Sequence, residues 1–130
     1  MKGWDTNCLV RHLTEDDADQ LVIVRTELEK AARKGDVIWL SSVTLVETAW
    51  VLQSYGLRKK EILDVLQSVI ADERFRVEGG SDVATAIGRA RVKGDLPEHL
   101  SALAAKRAGA VKTQTLDRAV AKFPEFEILG

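Results

Sequence analysis

Apolar residues recur along the chain with two different periods, and these periods predict helices separated by short strands. From Asp19 to Lys34 they recur at helical spacing, and Gly35 follows in the position of a helix C-cap. Residues Val37–Leu40 form a continuous apolar run, which is typical of a buried strand. The predicted helices are Asp19–Lys34, Ser42–Ser54, Arg58–Ala71, Ser81–Lys93, Asp95–Ala108 and Asp117–Lys122. The predicted strands are Lys2–Asp5, Val37–Leu40, Phe75–Val77, Val111–Thr115 and Phe126–Leu129.

Helices that alternate with short strands favour an α/β domain with a mostly parallel sheet. The chain has 130 residues, of which 45% are hydrophobic and 30% are charged. This length and composition predict a single globular domain over residues 1–130. No apolar run approaches the roughly 20 residues of a membrane-spanning helix, and no secretory signal pattern opens the chain. We therefore expect a soluble cytoplasmic protein that does not bind a membrane.

Charge and cysteine content narrow the classes of function. The formal net charge is -1, so nucleic acid would be attracted only by local groups of basic residues. The single cysteine, Cys8, can form neither an intrachain disulfide nor a cysteine zinc site. We expect Cys8 to be a small buried hydrophobe, in agreement with a reducing compartment.

Acids that follow the strands are candidate site residues, because parallel α/β sheets bind ligands beyond the carboxyl ends of their strands. Asp5 stands at the end of the first predicted strand, and Thr6 and Asn7 extend the polar segment ahead of an apolar run. An Asp in this position can also form an Asx-turn or a helix N-cap. The three consecutive polar residues favour a functional site over a turn.

Glu47 lies on the predicted helix Ser42–Ser54, among mostly apolar neighbours. The residues three and four positions away are Val43, Thr44, Trp50 and Val51, and they share its side of the helix. Charged groups in such surroundings are rarely left unpaired, so we expect a buried or half-buried functional carboxylate. The alternative is that this side of the helix lies at a boundary where Glu47 reaches water.

Three further acids stand at the starts of predicted helices. Asp95 and Glu98 have the spacing of a capping box, with Pro97 in the first turn, so helix capping alone explains both of them. Asp117 follows the strand Val111–Thr115 and can cap the short helix after it. Each of these acids therefore has a structural explanation when taken singly.

Taken together, the acids predict a divalent cation. Asp5, Glu47, the Asp95–Glu98 helix start and Asp117 would all lie at one edge of a parallel sheet. At ~5 Å and an effective dielectric constant of about 20, each pair of carboxylates repels by roughly 3 kcal/mol. Carboxylate oxygens completed by water suit Mg²⁺ or Mn²⁺ and do not suit zinc.

The same residues resemble a known family. Trp-Asp-Thr-Asn at 4–7 and Ser-x-x-x-x-Glu-x-x-Trp-Val-Leu at 42–52 resemble motifs of PIN-domain ribonucleases. The likeness continues through an acidic helix start with a helix of small residues at 101–105, and Gly-Ala-x-x-x-x-Thr-x-Asp-Arg at 109–118. The closing Phe-Pro-x-Phe-Glu-Ile-Leu extends it to residue 129. The chain looks most like the VapC toxins of bacterial and archaeal toxin–antitoxin pairs.

The resemblance implies a three-layer fold, in which helices flank a mostly parallel five-stranded sheet of order 3-2-1-4-5. It also implies an acidic pocket with Mg²⁺ or Mn²⁺ and endonucleolytic cleavage of RNA. By position, Asp5, Glu47 and Asp117 fall on family acids. The family usually places its remaining acid as an Asp three residues after another Asp, where this chain has Asp95 followed by Glu98. Either the site adjusts around Glu98, or Asp95 contributes as a ligand, or the activity is weakened.

The mechanism that follows is metal-assisted phosphodiester hydrolysis. Asp5, Glu98 and Asp117 would hold the cation, and Glu47 would orient or deprotonate a water molecule. Neighbouring polar groups would fix the carboxylates, as such partners do around metal sites; the candidates are Asn7, Thr115 and Ser42. Because acids repel RNA, nearby cations must bind its backbone, and the candidates are Lys93, Lys106, Arg107 and Arg118.

The resemblance also implies partners, namely a VapB-like antitoxin protein, an RNA substrate such as tRNA, and a second copy of the chain in a homodimer. Two other classes stay open. The first is a catalytically weakened PIN-like module that still binds an antitoxin or RNA, since Glu98 and His99 depart from the family pattern. The second is a receiver-like phosphoacceptor domain, which is disfavoured because the acids Glu15, Asp16 and Asp17 lie too far past Asp5.

Overall fold

The computed structural model describes residues 1–130, which divide into two compact units, Met1–Gly80 and Ser81–Gly130. Each unit has its own parallel sheet and its own helices. The α/β class predicted from the sequence is therefore confirmed. A single domain over residues 1–130 stays a prediction.

The first unit contains a three-stranded parallel sheet in the order β1-β2-β3, with Ile38 of the central strand paired to Lys2 and to Phe75. Its core is formed by apolar side chains that are at most 1% exposed, and burying each contributes about 1.5–3 kcal/mol. These side chains are Leu9, Leu28, Ile38, Leu40, Leu45 and Leu66. The elements are β1 (Lys2–Gly3), α1 (Thr6–Leu13), α2 (Ala18–Arg33), β2 (Ile38–Leu40), α3 (Ser42–Ser54), α4 (Lys59–Ala71) and β3 (Phe75–Val77).

Helix α1 corrects the sequence analysis, which predicted no helix between the first strand and Asp19. Strand β1 ends at Gly3, and Asp5 is the N-cap of an eight-residue helix whose Leu9 and Val10 are buried. A helix this short shows too few apolar positions to establish a period. The signal for it was the cap itself, because an Asp accepts the orphan N–H groups of a helix start. Cys8 lies in this helix and is half-buried, so the expected full burial was wrong.

The second unit contains α5 (Ser81–Val92), α6 (Leu96–Arg107), β4 (Thr113–Thr115) and β5 (Phe126–Ile128). Strands β4 and β5 pair in parallel, with Thr113 opposite Phe126. The five strands thus form two sheets, and the predicted single sheet of order 3-2-1-4-5 is not shown. The partial orders 3-2-1 and 4-5 agree with the prediction.

The segment 117–122 forms turns, so the predicted short helix Asp117–Lys122 was wrong. Six residues recover too few hydrogen bonds to offset the cost of helix nucleation. Val120 anchors the segment instead, because it is fully buried in a cluster with Ala102 and Phe126. No helix of either unit is long and apolar enough to cross a membrane.

Candidate active site

The first unit has an open groove of about 430 Å³ between α1 and α3, which we call the Asp5 groove. Two of the predicted acids, Asp5 and Glu47, lie in its lining. The complete lining is Asp5, Thr6, Asn7, Thr44, Glu47, Trp50 and Val51. One wall is therefore polar and comes from the start of α1, and the other is a mixed face of α3.

Asp5 combines the two roles that the sequence analysis treated as alternatives. Its Oδ1 accepts the backbone N–H of Cys8 at 3.0 Å as the N-cap of α1, and its side chain also lines the groove. This N–H stabilises the ionised form and is the main reason why the pKa of Asp5 is lowered. A carboxylate has about four acceptor positions, so one cap bond leaves oxygen lone pairs for a ligand. Asp5 is thus a fixed, charged group at the groove.

Glu47 is connected to the polar wall by a hydrogen bond across the groove. The Thr6 hydroxyl donates to Glu47 Oε1 at 3.0 Å, which joins the first residue of α1 to the middle of α3. Thr6 is a functional candidate that the sequence analysis missed, although it stands between two residues that were chosen. A hydroxyl of this kind fixes the rotamer of a carboxylate.

The expected burial of Glu47 was wrong, since its side chain is exposed. The buried face of α3 consists of Thr44, Leu45, Thr48 and Leu52. The opposite face carries Glu47 between two exposed apolar residues, Val43 at 63% and Trp50 at 60% exposure. Because α3 is apolar on nearly all sides, the period did not identify which face packs inward.

Ser42, predicted to brace the carboxylates, binds a different acid. Its backbone N–H and its hydroxyl both donate to Glu78 Oε1, each at 2.8 Å. These bonds lower the pKa of Glu78, and the backbone N–H makes the larger contribution. Glu78 follows β3 at the edge where β2 ends, and its own N–H donates to the Leu40 carbonyl. The sequence analysis missed Glu78, although it follows a strand as Asp5 does.

In the second unit, Asp95 and Glu98 form a capping box, in which each side chain accepts the backbone N–H of the other residue. Asp95 Oδ1 accepts the Glu98 N–H at 2.9 Å, and Glu98 Oε1 accepts the Asp95 N–H at 3.1 Å. The capping interpretation of these acids is therefore confirmed. Gly94 begins this turn at a φ of +78°, and an added Cβ would lie 2.6 Å from Val120 Cγ1, so the position requires glycine.

His99 holds the same turn from inside the second unit. It is 1% exposed, and its Nε2–H donates to the Lys93 carbonyl at 2.8 Å. Its ring packs edge-on against Phe123 and Phe126, with centroids 4.7 and 5.9 Å away. The residue that departs from the family pattern thus packs in the core and fixes the turn from Lys93 to His99, which we call the Asp95 turn.

Asp117 lies exposed just after β4, and Thr115 contacts its backbone, whereas the resemblance implies a contact that fixes its carboxylate. The Asp117 N–H donates to Thr115 Oγ1 at 3.0 Å, and Asp117 Oδ1 accepts the Ala119 N–H at 2.8 Å. Thr115 therefore positions the backbone of Asp117, whose carboxylate stabilises the following turn.

The predicted RNA-binding cations belong to the second unit and differ in their partners. Arg107 forms an ion pair with Asp82, which ties up part of its charge. Lys106 lines a small cavity with Lys112 and Glu125. Lys93 and Arg118 are exposed.

Oxygen donors of the Asp5 groove fit a small divalent cation. Within each unit, no three His, Cys, Asp or Glu side chains form a group that would hold a metal ion without further ligands. Mg²⁺, however, commonly binds to only one or two carboxylates and completes its octahedron with water and substrate phosphate. Asp5 and Glu47 supply two carboxylates in one open groove, so the donor set suits Mg²⁺ or Mn²⁺ with a bound substrate.

The fold and groove define an α/β protein with an exposed carboxylate site at the start of a helix. The chain matches the PIN domain family over residues 4–125 and belongs to that family. PIN domains are nucleases that generally depend on divalent metals, which places the chain among hydrolases of phosphodiester bonds. The comparison with curated proteins found no match.

Proposed function

We propose that this chain is a Mg²⁺- or Mn²⁺-dependent endoribonuclease and the toxin of a VapC-type toxin–antitoxin pair. The observation that carries the proposal is that Asp5 and Glu47 line one groove of a PIN domain. The Thr6 hydroxyl donates a hydrogen bond to Glu47 in the same groove. We propose that a phosphodiester bound in this groove contacts both carboxylates.

Asp5, Glu98 and Asp117 are the proposed cation ligands, with Asp95 in place of Glu98 as the alternative. When bound, Mg²⁺ or Mn²⁺ would act as a Lewis acid on the phosphate and lower the pKa of a bound water. Asp5 suits this role because its lowered pKa keeps it ionised. Exposure leaves Asp117 open to ligands, whereas Asp95 and Glu98 each have one oxygen in the capping box.

Glu47 orients the attacking water and accepts its proton. Thr6 donates to Glu47 Oε1, so the carboxylate presents a defined oxygen to the groove. Lys93, Lys106, Arg107 and Arg118 are proposed contacts for the RNA backbone, and Asn7, Thr115 and Ser42 are proposed to steady the acids. The chain is proposed to work in the cytoplasm, to form a homodimer and to be masked by a VapB-like antitoxin.

The test is incubation of the purified chain with tRNA and with a second structured RNA, with and without Mg²⁺ or Mn²⁺. The wild type should cut internally only with the metal, and Asp117→Asn should lose most of the cleavage. Asp19→Asn is a matched control, since it removes an exposed carboxylate from the first turn of α2, outside the groove. Equal cleavage with and without the metal, or by Asp117→Asn and wild type, contradicts the proposal.

A second candidate is a PIN-like module that binds an antitoxin or RNA with little cleavage. The capping box favours it, because the cap bonds occupy one oxygen of Glu98, the proposed ligand, and one oxygen of Asp95, its alternative. In that case RNA binding would persist in the cleavage assay while no product forms. Measurement of RNA binding beside cleavage separates the two candidates.

A further inference from the structure

The outer face of α3 carries two exposed apolar residues on either side of Glu47, and one of them, Trp50, lines the Asp5 groove. Val43, Glu47 and Trp50 are spaced at i, i+4 and i+7, so they share one side of the helix. Val43 is 63% exposed and Trp50 is 60% exposed. The carboxylate of Glu47 therefore lies between two apolar side chains that face water.

The three tryptophans of the chain are used differently. Trp4 is buried at 8% exposure and packs edge-on against Phe75, with ring centroids 5.6 Å apart. Trp39 is half-buried in the central strand β2. Trp50 is more than half exposed, and no aromatic ring or cation packs on its face. Its indole is thus a free flat surface in the wall of the groove.

We propose that Trp50 is a stacking platform for an unpaired nucleobase next to the phosphate that the Asp5 groove receives. Trp50 is three residues after Glu47, about 4.5 Å further along the helix axis, and both residues line the Asp5 groove, so a nucleotide bound at Glu47 has Trp50 beside it. Stacking on an aromatic ring tolerates every base, since each base has a π face. Acids in the groove give no attraction to RNA by charge, so an uncharged contact of this kind supplies affinity that the acids do not. This inference rests on the proposed nuclease function.

Two single-stranded RNA decamers in Ca²⁺ test the inference by equilibrium binding, one normal and one with every base replaced by an abasic spacer. Wild-type protein should bind the normal decamer about 10- to 100-fold more tightly than the abasic one. Trp50→Ala should bind both with the weaker affinity, and Trp50→Phe should retain part of the difference. Ile23→Ala is the matched control, because Ile23 is 67% exposed on α2 and outside the groove.

The inference is overturned if Trp50→Ala still prefers the normal decamer as the wild type does, or if the wild type shows no preference. Circular dichroism of Trp50→Ala confirms folding, which the exposed position predicts. Cleavage of tRNA is scored separately. A base preference that depends on Trp50 without cleavage would support the stacking site and contradict the nuclease. Cleavage of tRNA, with no effect of Trp50→Ala on binding, would support the nuclease and contradict the stacking site.

Discussion

Carboxylates occupy helix starts in both units, but the Asp5 groove and the Asp95 turn use them in different ways. Asp5 gives one oxygen to the α1 cap and still lines an open groove opposite Glu47. In the Asp95 turn, by contrast, Asp95 and Glu98 bind each other's backbone N–H, and His99 fixes the turn from the core. The comparison shows that the same capping bond can leave a carboxylate beside an open groove, as at Asp5, or join two acids to each other's backbone, as at Asp95 and Glu98.

The two units also differ in net charge. Residues 1–80 carry eleven Lys or Arg and fourteen Asp or Glu, whereas residues 81–130 carry eight and six. The first unit is therefore net acidic and the second net basic, although the whole chain is nearly neutral at -1. The net charge of the full sequence does not show this difference, because the charges of the two units nearly cancel.

The largest expected effect comes from neutralising Asp5. Asn caps helices as well as Asp does, so Asp5→Asn should keep α1 folded while removing the charge. We expect cleavage of RNA to fall by at least about 100-fold. Steady-state cleavage rates, with the melting temperature as the control for folding, measure this. A loss below about threefold would mean that Asp5 is only a cap.

The second prediction concerns the stability of the Asp95 turn. His99→Ala removes a buried ring and leaves the Lys93 carbonyl without its donor, so the free energy of unfolding should fall by about 2–4 kcal/mol. Urea denaturation measures this loss. His99→Gln keeps an N–H donor and should lose less. If both variants are as stable as the wild type, His99 does not hold the turn.

Thr6 provides the third prediction, which concerns the groove alone. Thr6→Val keeps the shape of the side chain but removes the hydroxyl donor to Glu47 Oε1. Partners of this kind usually contribute about 10- to 100-fold, so cleavage should fall by that factor at unchanged stability. Thr6→Ser restores the hydroxyl and should recover most of the activity. Equal rates for Thr6→Val and Thr6→Ser would show that the hydrogen bond has no role.

Asp95 and Glu98 provide the fourth prediction, with a smaller effect. Asp95→Asn and Glu98→Gln both keep a side-chain acceptor for the capping box and remove one charge. Glu98 is the proposed cation ligand and Asp95 the alternative, so Glu98→Gln should lower cleavage by about tenfold and Asp95→Asn by less than about threefold. The reverse ranking, from the same cleavage assay, would make Asp95 the ligand.

The smallest predicted effect is a pH dependence of stability in the first unit. The pKa of His12 is lowered chiefly by burial and further by the positive charges of Arg74 and Arg25. Its Nδ1 is buried and has no hydrogen-bond partner. The unfolded chain then takes up a proton near pH 6.5 before the folded chain does. Stability should therefore be complete above about pH 6.5 and should fall as the pH drops through the folded pKa.

Urea titrations at pH 7.5 and 5 measure this dependence. His12→Gln should reduce the difference between the two pH values. The carboxylates with lowered pKa values have ordinary values of 3.8 or 4.5, so their effect on stability lies mainly below pH 5; they are Asp5, Asp16, Asp36, Asp72, Glu78 and Glu125. An unchanged difference in His12→Gln would assign the effect to other groups.

The sequence predicted the helices α2 to α6 and the α/β class, because long apolar periods and caps are local signals. It missed α1, since eight residues give too few repeats, and it placed Glu47 on the wrong face of an almost wholly apolar helix. The Asp95 and Glu98 cap was predictable from spacing alone. The bonds from Thr6 to Glu47 and from Ser42 to Glu78 join residues more than 30 positions apart, so no local pattern specified them.

Mn²⁺ binding by calorimetry tests the central claim most directly, namely that the open carboxylates of the Asp5 groove form the site. Wild type and Asp95→Asn should both bind Mn²⁺, and Asp5→Asn should show no measurable binding. Because Asn keeps the helix cap in both variants, their folding is matched. Binding by Asp5→Asn as tight as the wild type, with loss in Asp95→Asn, would contradict the account.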